Sequence, residues 1–87
     1  MRIDKYLKVA RILKRRVVAK ELAESGRLLI NDRIAKASSE IKVGDIITIE
    51  FGHRTIKFKA LEIKENASKQ DALQMYEVVE EHKSSIV

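Results

Sequence analysis

Val17-Val18-Ala19-Lys20-Glu21-Leu22-Ala23-Glu24-Ser25-Gly26-Arg27-Leu28-Leu29-Ile30-Asn31-Asp32-Arg33-Ile34-Ala35 is the stretch on which the fold turns, because the hydrophobic period changes inside it. Over residues 17–25, Val18, Ala19, Leu22 and Ala23 form one apolar stripe at helical spacing. Gly26 follows directly and is expected to close that helix in the left-handed conformation. Beyond it, Arg27 to Ile30 and Arg33 to Ala35 are two short extended runs around Asn31-Asp32. A two-residue connection of that kind predicts a hairpin whose turn residues take positive φ. A helix closed by glycine and feeding straight into a hairpin indicates an α+β fold.

Upstream, Ile3, Tyr6, Leu7 and Ala10 predict a first helix over 3–13, and Lys14-Arg15-Arg16 a basic joint between the helices. Each helix is too short to be stable alone, so the two must pack on one another and on the sheet. Downstream, Val43-Gly44-Asp45 marks a turn, and 46–51 a strand with Ile47, Ile49 and Phe51 on one face. Gly52-His53 makes the next tight turn. A return strand over 54–63 alternates through Ile56, Phe58 and Ala60, then slips at Ala60-Leu61, where a bulge or bend is expected. Ser68 with Asp71 reads as a helix cap, and Leu73, Tyr76 and Val79 or Glu80 extend it as an acidic C-terminal helix that fades into a frayed tail over 82–87. The expected architecture is two short N-terminal helices packed on a small, mostly antiparallel sheet, with a C-terminal helix. Residues 1–65 then form a binding domain with a hairpin extension, and 66–87 are the C-terminal helix and tail of the same domain.

The chain has 87 residues and a net charge of +5, with no cysteine, proline or tryptophan. Absence of cysteine excludes a disulfide scaffold, a thiolate zinc site and a cysteine nucleophile. No apolar run is long enough to span a bilayer or to serve as a secretory core, so no membrane association is expected. The charge is unevenly placed. Residues 1–44 carry twelve Lys/Arg against five Asp/Glu, and residues 45–87 six against eight. A small domain gains no stability by crowding like charges, so the basic half points to a polyanionic partner. Arg15 and Arg16 open the second helix, where free backbone N–H groups also favour phosphate, and Lys20 lies one turn further on. Solvated surface charge is the alternative reading, and it suits isolated Lys8 or Lys36 better than the cluster Arg11, Lys14, Arg15, Arg16. Gly26, Gly44 and Gly52 are too scattered to form a phosphate-binding loop. His53 and His82 read as surface residues, and no acid pair or Ser/His/Asp set suggests catalysis. No enzyme activity, cofactor or metal is expected. Tyr6 is the only aromatic residue of the basic half, and its spacing makes it core. Recognition of RNA shape and backbone is therefore favoured over base stacking.

Met1-Arg2-Ile3-Asp4-Lys5-Tyr6-Leu7, Arg11, Lys14-Arg15-Arg16, Ala19-Lys20-Glu21-Leu22, Ser25-Gly26-Arg27, Ile30-Asn31, Lys36 and Val43-Gly44-Asp45 occur in an order that resembles the RNA-binding module of ribosomal protein S-four, the αL motif. The resemblance covers about residues 1–50. It departs at Asp32, where glycine is usual, and at Val43, where proline is usual. Both are turn positions. Over its whole length the chain is similar to the stand-alone factors of this family in bacterial ribosome-associated quality control. The resemblance implies a cytoplasmic, monomeric protein that binds large ribosomal subunits obstructed by peptidyl-tRNA. There it would stabilise the P-site tRNA while a tailing factor of the RqcH type adds alanine. Carried over by position, the implied contacts to 23S rRNA and tRNA backbone are Arg2, Lys5, Arg11, Lys14, Arg15, Arg16, Lys20 and Arg27, with Asn31 and Lys36 in addition. Two readings compete. One is the heat-shock member of the same family, which recycles free large subunits with nascent chains and has a longer, basic C-terminal extension. The other is a helix-turn-helix DNA regulator, although Val17-Val18-Ala19 leaves the second helix few side chains to read base edges.

Overall fold

A computed structural model describes residues 1–83. The chain runs α1 (Ile3–Val9), α2 (Arg16–Glu24), β1 (Leu28–Ile30), β2 (Arg33–Ile34), β3 (Ile46–Phe51), β4 (Arg54–Ala60), α3 (Lys69–Leu73) and β5 (Tyr76–Lys83). The strands form one antiparallel sheet in the order β2-β1-β3-β4-β5. The α+β class read from the sequence is the class observed.

The local signals act where they stand. Gly26 has φ +73 after the last turn of α2, and Asn31 and Asp32 have φ +51 and +66 in the β1–β2 turn. Two successive left-handed residues twist a two-residue hairpin to match its strands. Asn31 locks the turn further. Its Oδ1 accepts the Ile46 N–H at 3.0 Å and its Nδ2 donates to Asp45 Oδ1 at 3.1 Å.

Three expectations need correction. The first helix stops at Val9 instead of running to residue 13, because Arg11 turns left-handed at φ +59. The N–H groups of Ile12 and Leu13 then both reach the Leu7 carbonyl, and Leu13 folds back into the core. The bulge expected at Ala60-Leu61 is absent there. β4 simply ends at Ala60, and the irregularity lies across from Lys57/Phe58, where Lys57 pairs with Glu80 and Phe58 with Val78, leaving Val79 extra on β5.

The third correction is the largest. The acidic C-terminal helix is only the five-residue α3, and Tyr76–Lys83 is a strand. Its start was read correctly, since Ser68 Oγ accepts the Asp71 N–H at 3.1 Å. Its continuation was not. The open edge of β4 needs backbone partners, and β-branched Val78 and Val79 suit a strand. Opposite charges meet along the pairing, with Arg54 3.1 Å from Glu81 and Lys57 3.7 Å from Glu80. His82 and Lys83 therefore belong to β5; the rest of the expected frayed tail, 84–87, lies outside the described residues.

The core joins both halves. Ile3, Tyr6 and Leu7 of α1, Ala19 of α2, and Leu28, Ile47, Ile49 and Met75 are fully buried. Each large aliphatic side chain so buried contributes about 1.5–3 kcal/mol. Tyr6 also donates its hydroxyl to the Met75 carbonyl at 2.7 Å, tying α1 to the segment before β5.

Candidate nucleic-acid interface

The N-terminal segment is stitched to residues 37–41. Ile3 N–H donates to the Ser39 carbonyl at 2.7 Å, Asp4 N–H to Ala37 at 3.2 Å and Ile41 N–H to Met1 at 2.9 Å. This places Asp4 between the two helices, with its side chain only 7% exposed. Its Oδ1 accepts from the Lys5 N–H at 2.7 Å and from the Arg16 guanidinium at 3.0 Å, and its Oδ2 accepts from Arg2 at 3.1 Å. A buried carboxylate thus aims two half-exposed arginines, one from the start of each helix.

Asp4 and its arginines separate two open grooves. The larger, about 740 Å³, is lined by Lys5, Lys8, Arg11, Lys14 and Arg16, together with Glu65, Asn66 and Ala67. The smaller, about 370 Å³, holds Arg2, Lys20 and Lys36 beside Asp4, Ala37 and Ser38. Seven of the ten residues read from the sequence as candidate contacts therefore line two adjoining cationic grooves. Arg15 is the exposed residue at the start of α2, which has no side-chain cap, so the helix opens with backbone N–H groups available to an anion.

Arg27 and Asn31 are set apart from both grooves. Arg27 is exposed at the entry to β1, and its backbone bridges Leu22 and Glu50. Asn31 uses both side-chain amide atoms within the fold, so its position serves the β1–β2 turn.

Two groove residues escaped the sequence reading. Lys8 read as solubilising charge, yet it lines the larger groove. Glu65 comes from the loop after β4 and forms an ion pair with Lys5, sixty residues away in sequence. The Lys5 hydrogen bond and charge hold the Glu65 carboxyl below the usual carboxylate range. No local signal marks that contact, because it depends on how the sheet returns the chain to α1.

Arginines held by Asp4, groove-lining lysines and an open helix start together suit a run of backbone phosphates. Among the described residues, His, Cys, Asp and Glu side chains form no cluster that could hold a metal ion. No described helix is long and apolar enough to cross a membrane.

The chain is similar in sequence and fold to known proteins. The S4 domain model matches residues 1–47. The RQC P-site tRNA stabilizing factor of Streptococcus pneumoniae is 51% identical over 93% of this chain and 92% of its own length. The factor of the same name from Bacillus subtilis is 46% identical over 95% and 96%. In three dimensions, the trimeric heat shock protein 15 of Vibrio cholerae superposes with a TM-score of 0.82 at 30% identity, covering 91% of this chain and 81% of that one. Motif order, near full-length identity and fold lead to one assignment: the chain belongs to the S4-domain family, among the RQC P-site tRNA stabilizing factors.

Proposed function

We infer that this chain is a non-catalytic RNA-binding factor of ribosome-associated quality control. In this reading it binds the large ribosomal subunit through 23S rRNA and holds peptidyl-tRNA in the P site. A tailing factor of the RqcH type then extends the stalled chain with alanine. The protein acts in the cytoplasm as a monomer.

The observation that carries the reading is the pair of cationic grooves organised by Asp4, Arg2 and Arg16. Two adjoining grooves suit two backbone strands, such as rRNA on one side and tRNA on the other. The names of the Streptococcus and Bacillus relatives support the same ligand. Arg2, Lys5, Arg11, Lys14, Arg16, Lys20 and Lys36 are the proposed phosphate contacts, with Arg15 at the helix start; Arg27, away from both grooves, is a proposed separate contact.

Sedimentation of a cell lysate on a sucrose gradient tests this. The expected result is migration with large subunits, recovery of tRNA in the pull-down, and loss of both for Arg16→Ala. A protein that stays at the top of the gradient at low salt would overturn the ribosomal reading and bring back the DNA-regulator alternative. Association with free large subunits and their tRNA, without recovery of a tailing factor, would instead favour the heat-shock type of role.

A further inference from the structure

Sequence reasoning places only one aromatic residue in the basic half, Tyr6, and the fold buries it. The sheet, however, carries two others up to the cationic surface. An open groove of about 370 Å³ runs along β4 with Ile12, Phe58, Arg11 and Arg54 in its lining; Tyr76 stands at one end, across from Ala60, and Phe51 at the other, across from Arg54, about 20 Å further along the strand. The Phe58 ring meets Tyr76 edge to face at 5.4 Å and 84°, which fixes the orientation of Tyr76. Arg11 lines both this groove and the larger cationic one.

Arg11 also stands out among the three non-glycine residues at positive φ, because the other two, Asn31 and Asp32, are types that tolerate it. It is a long side chain at φ +59, in the position after a helix where glycine is favoured. Its N–H bonds the Lys8 carbonyl at 3.0 Å and the Ile12 N–H bonds Leu7 at 3.0 Å, so a full helix-terminating motif holds it there. Glycine would adopt this geometry without strain. An arginine kept in it, with no carboxylate partner among the described residues, points to a role for its guanidinium.

We propose that the Tyr76 end of this groove, beside Phe58, is a nucleobase subsite. An RNA strand whose phosphates follow the larger cationic groove turns one unstacked base past Arg11 and onto this aromatic wall. The inference rests on the RNA-binding reading and extends it to a base contact. Its chemistry is that of single-stranded RNA recognition, a flat π surface beside a guanidinium. Charge argues against an acidic peptide as occupant. Arg54 is already paired with Glu81 at 3.1 Å, leaving Arg11 as the unpaired cation of the groove among the described residues. One cation beside an apolar wall suits a phosphate joined to a neutral base better than a run of carboxylates.

The test uses the full chain and two hairpin RNAs that share a stem, one with an ordinary unpaired loop and one whose loop is abasic. The wild type is expected to bind the base-bearing loop about five- to a hundredfold more tightly. Tyr76→Leu keeps an apolar side chain and is expected to abolish that difference while leaving affinity for the abasic loop unchanged. If Tyr76→Leu melts early, an NMR shift of the wild-type Tyr76 ring with the base-bearing hairpin and not the abasic one supplies the readout, and Phe51→Leu at the far end of the groove is expected to keep the difference. Arg11→Gly is expected to weaken binding to both loops without lowering the melting temperature. Equal wild-type affinity for the two loops overturns the base subsite and leaves the RNA reading standing, whereas binding to neither overturns both. NMR shifts at Tyr76 that follow a polyglutamate peptide and not the hairpin would assign the groove to protein and overturn the proposal.

Discussion

The Arg16 guanidinium donates to Asp4 Oδ1 at 3.0 Å, and this contact joins the start of α2 to the start of α1. Arg16 is half-exposed while Asp4 is buried, so one end of the pair is fixed and the other faces solvent. Such a contact orients a cation for an external ligand more than it stabilises the fold. Arg16→Ala is therefore expected to weaken binding to the large subunit by about 1–3 kcal/mol. Urea unfolding should change by less than about 1 kcal/mol, because Arg2 still neutralises Asp4. Unchanged binding would remove Arg16 from the interface.

Asp4→Asn should behave differently. It removes the charge that holds two arginines at once, and it sits inside the fold. Stability is expected to fall by about 1–3 kcal/mol, near the lower end for a broken buried pair because both arginines retain access to water. RNA affinity should fall as well, although the variant adds net positive charge. A rise in affinity would mean that charge alone, and not the aim of Arg2 and Arg16, governs binding.

Glu65 occupies Lys5 as a phosphate would. Glu65→Gln is expected to raise RNA affinity by about two- to fivefold at low salt, the range of an exposed ion pair. The slope of log affinity against log salt should steepen by about 0.7, since Lys5 is free to neutralise one more phosphate. Titration at several salt concentrations separates the two effects; an unchanged slope would show that Lys5 makes no phosphate contact.

Tyr6 predicts an alkaline transition. Burial, with the neighbouring Tyr76 second, pushes its hydroxyl from 10.0 up to about 12. The folded protein then holds a proton that the unfolded chain has released. This contribution to stability is complete below pH 10 and is lost as pH rises toward 12. Tyr6→Phe should lack that part of the alkaline loss. At neutral pH it should cost only about 0.5–1.5 kcal/mol, because the Met75 carbonyl keeps its bonds from the Leu61 and Glu62 N–H groups. Parallel urea titrations from pH 9 to 12 check both statements.

Two leucines separate the core from its margin. Leu28 is fully buried on β1, whereas Leu22 on α2 is half-buried. Leu28→Ala is expected to cost about 2–5 kcal/mol and Leu22→Ala less than about 2 kcal/mol. Equal losses in thermal melts would place Leu22 deeper in the core than the sheet and helices allow.

What the sequence determined by itself is what depends on near neighbours along the chain. Gly26 after a helical stripe, Asn31-Asp32 between short extended runs, and Ser68 three residues before Asp71 each set the backbone where they stand, the first three by a positive φ and Ser68 by its cap. Their geometry could be read without knowing the fold, and so could the basic cluster around Arg16. Tertiary structure decided what depends on distant partners. Residues 76–83 carry a pattern compatible with a helix, and the unpaired edge of β4 made them a strand. Lys8 and Glu65 became groove residues only when the loop after β4 met α1. Phe51 and Tyr76, from the acidic half, reached Arg11 by the same route. Local conformational preference is encoded residue by residue, but which edges are left open and which side chains converge is settled only when the sheet and core close together.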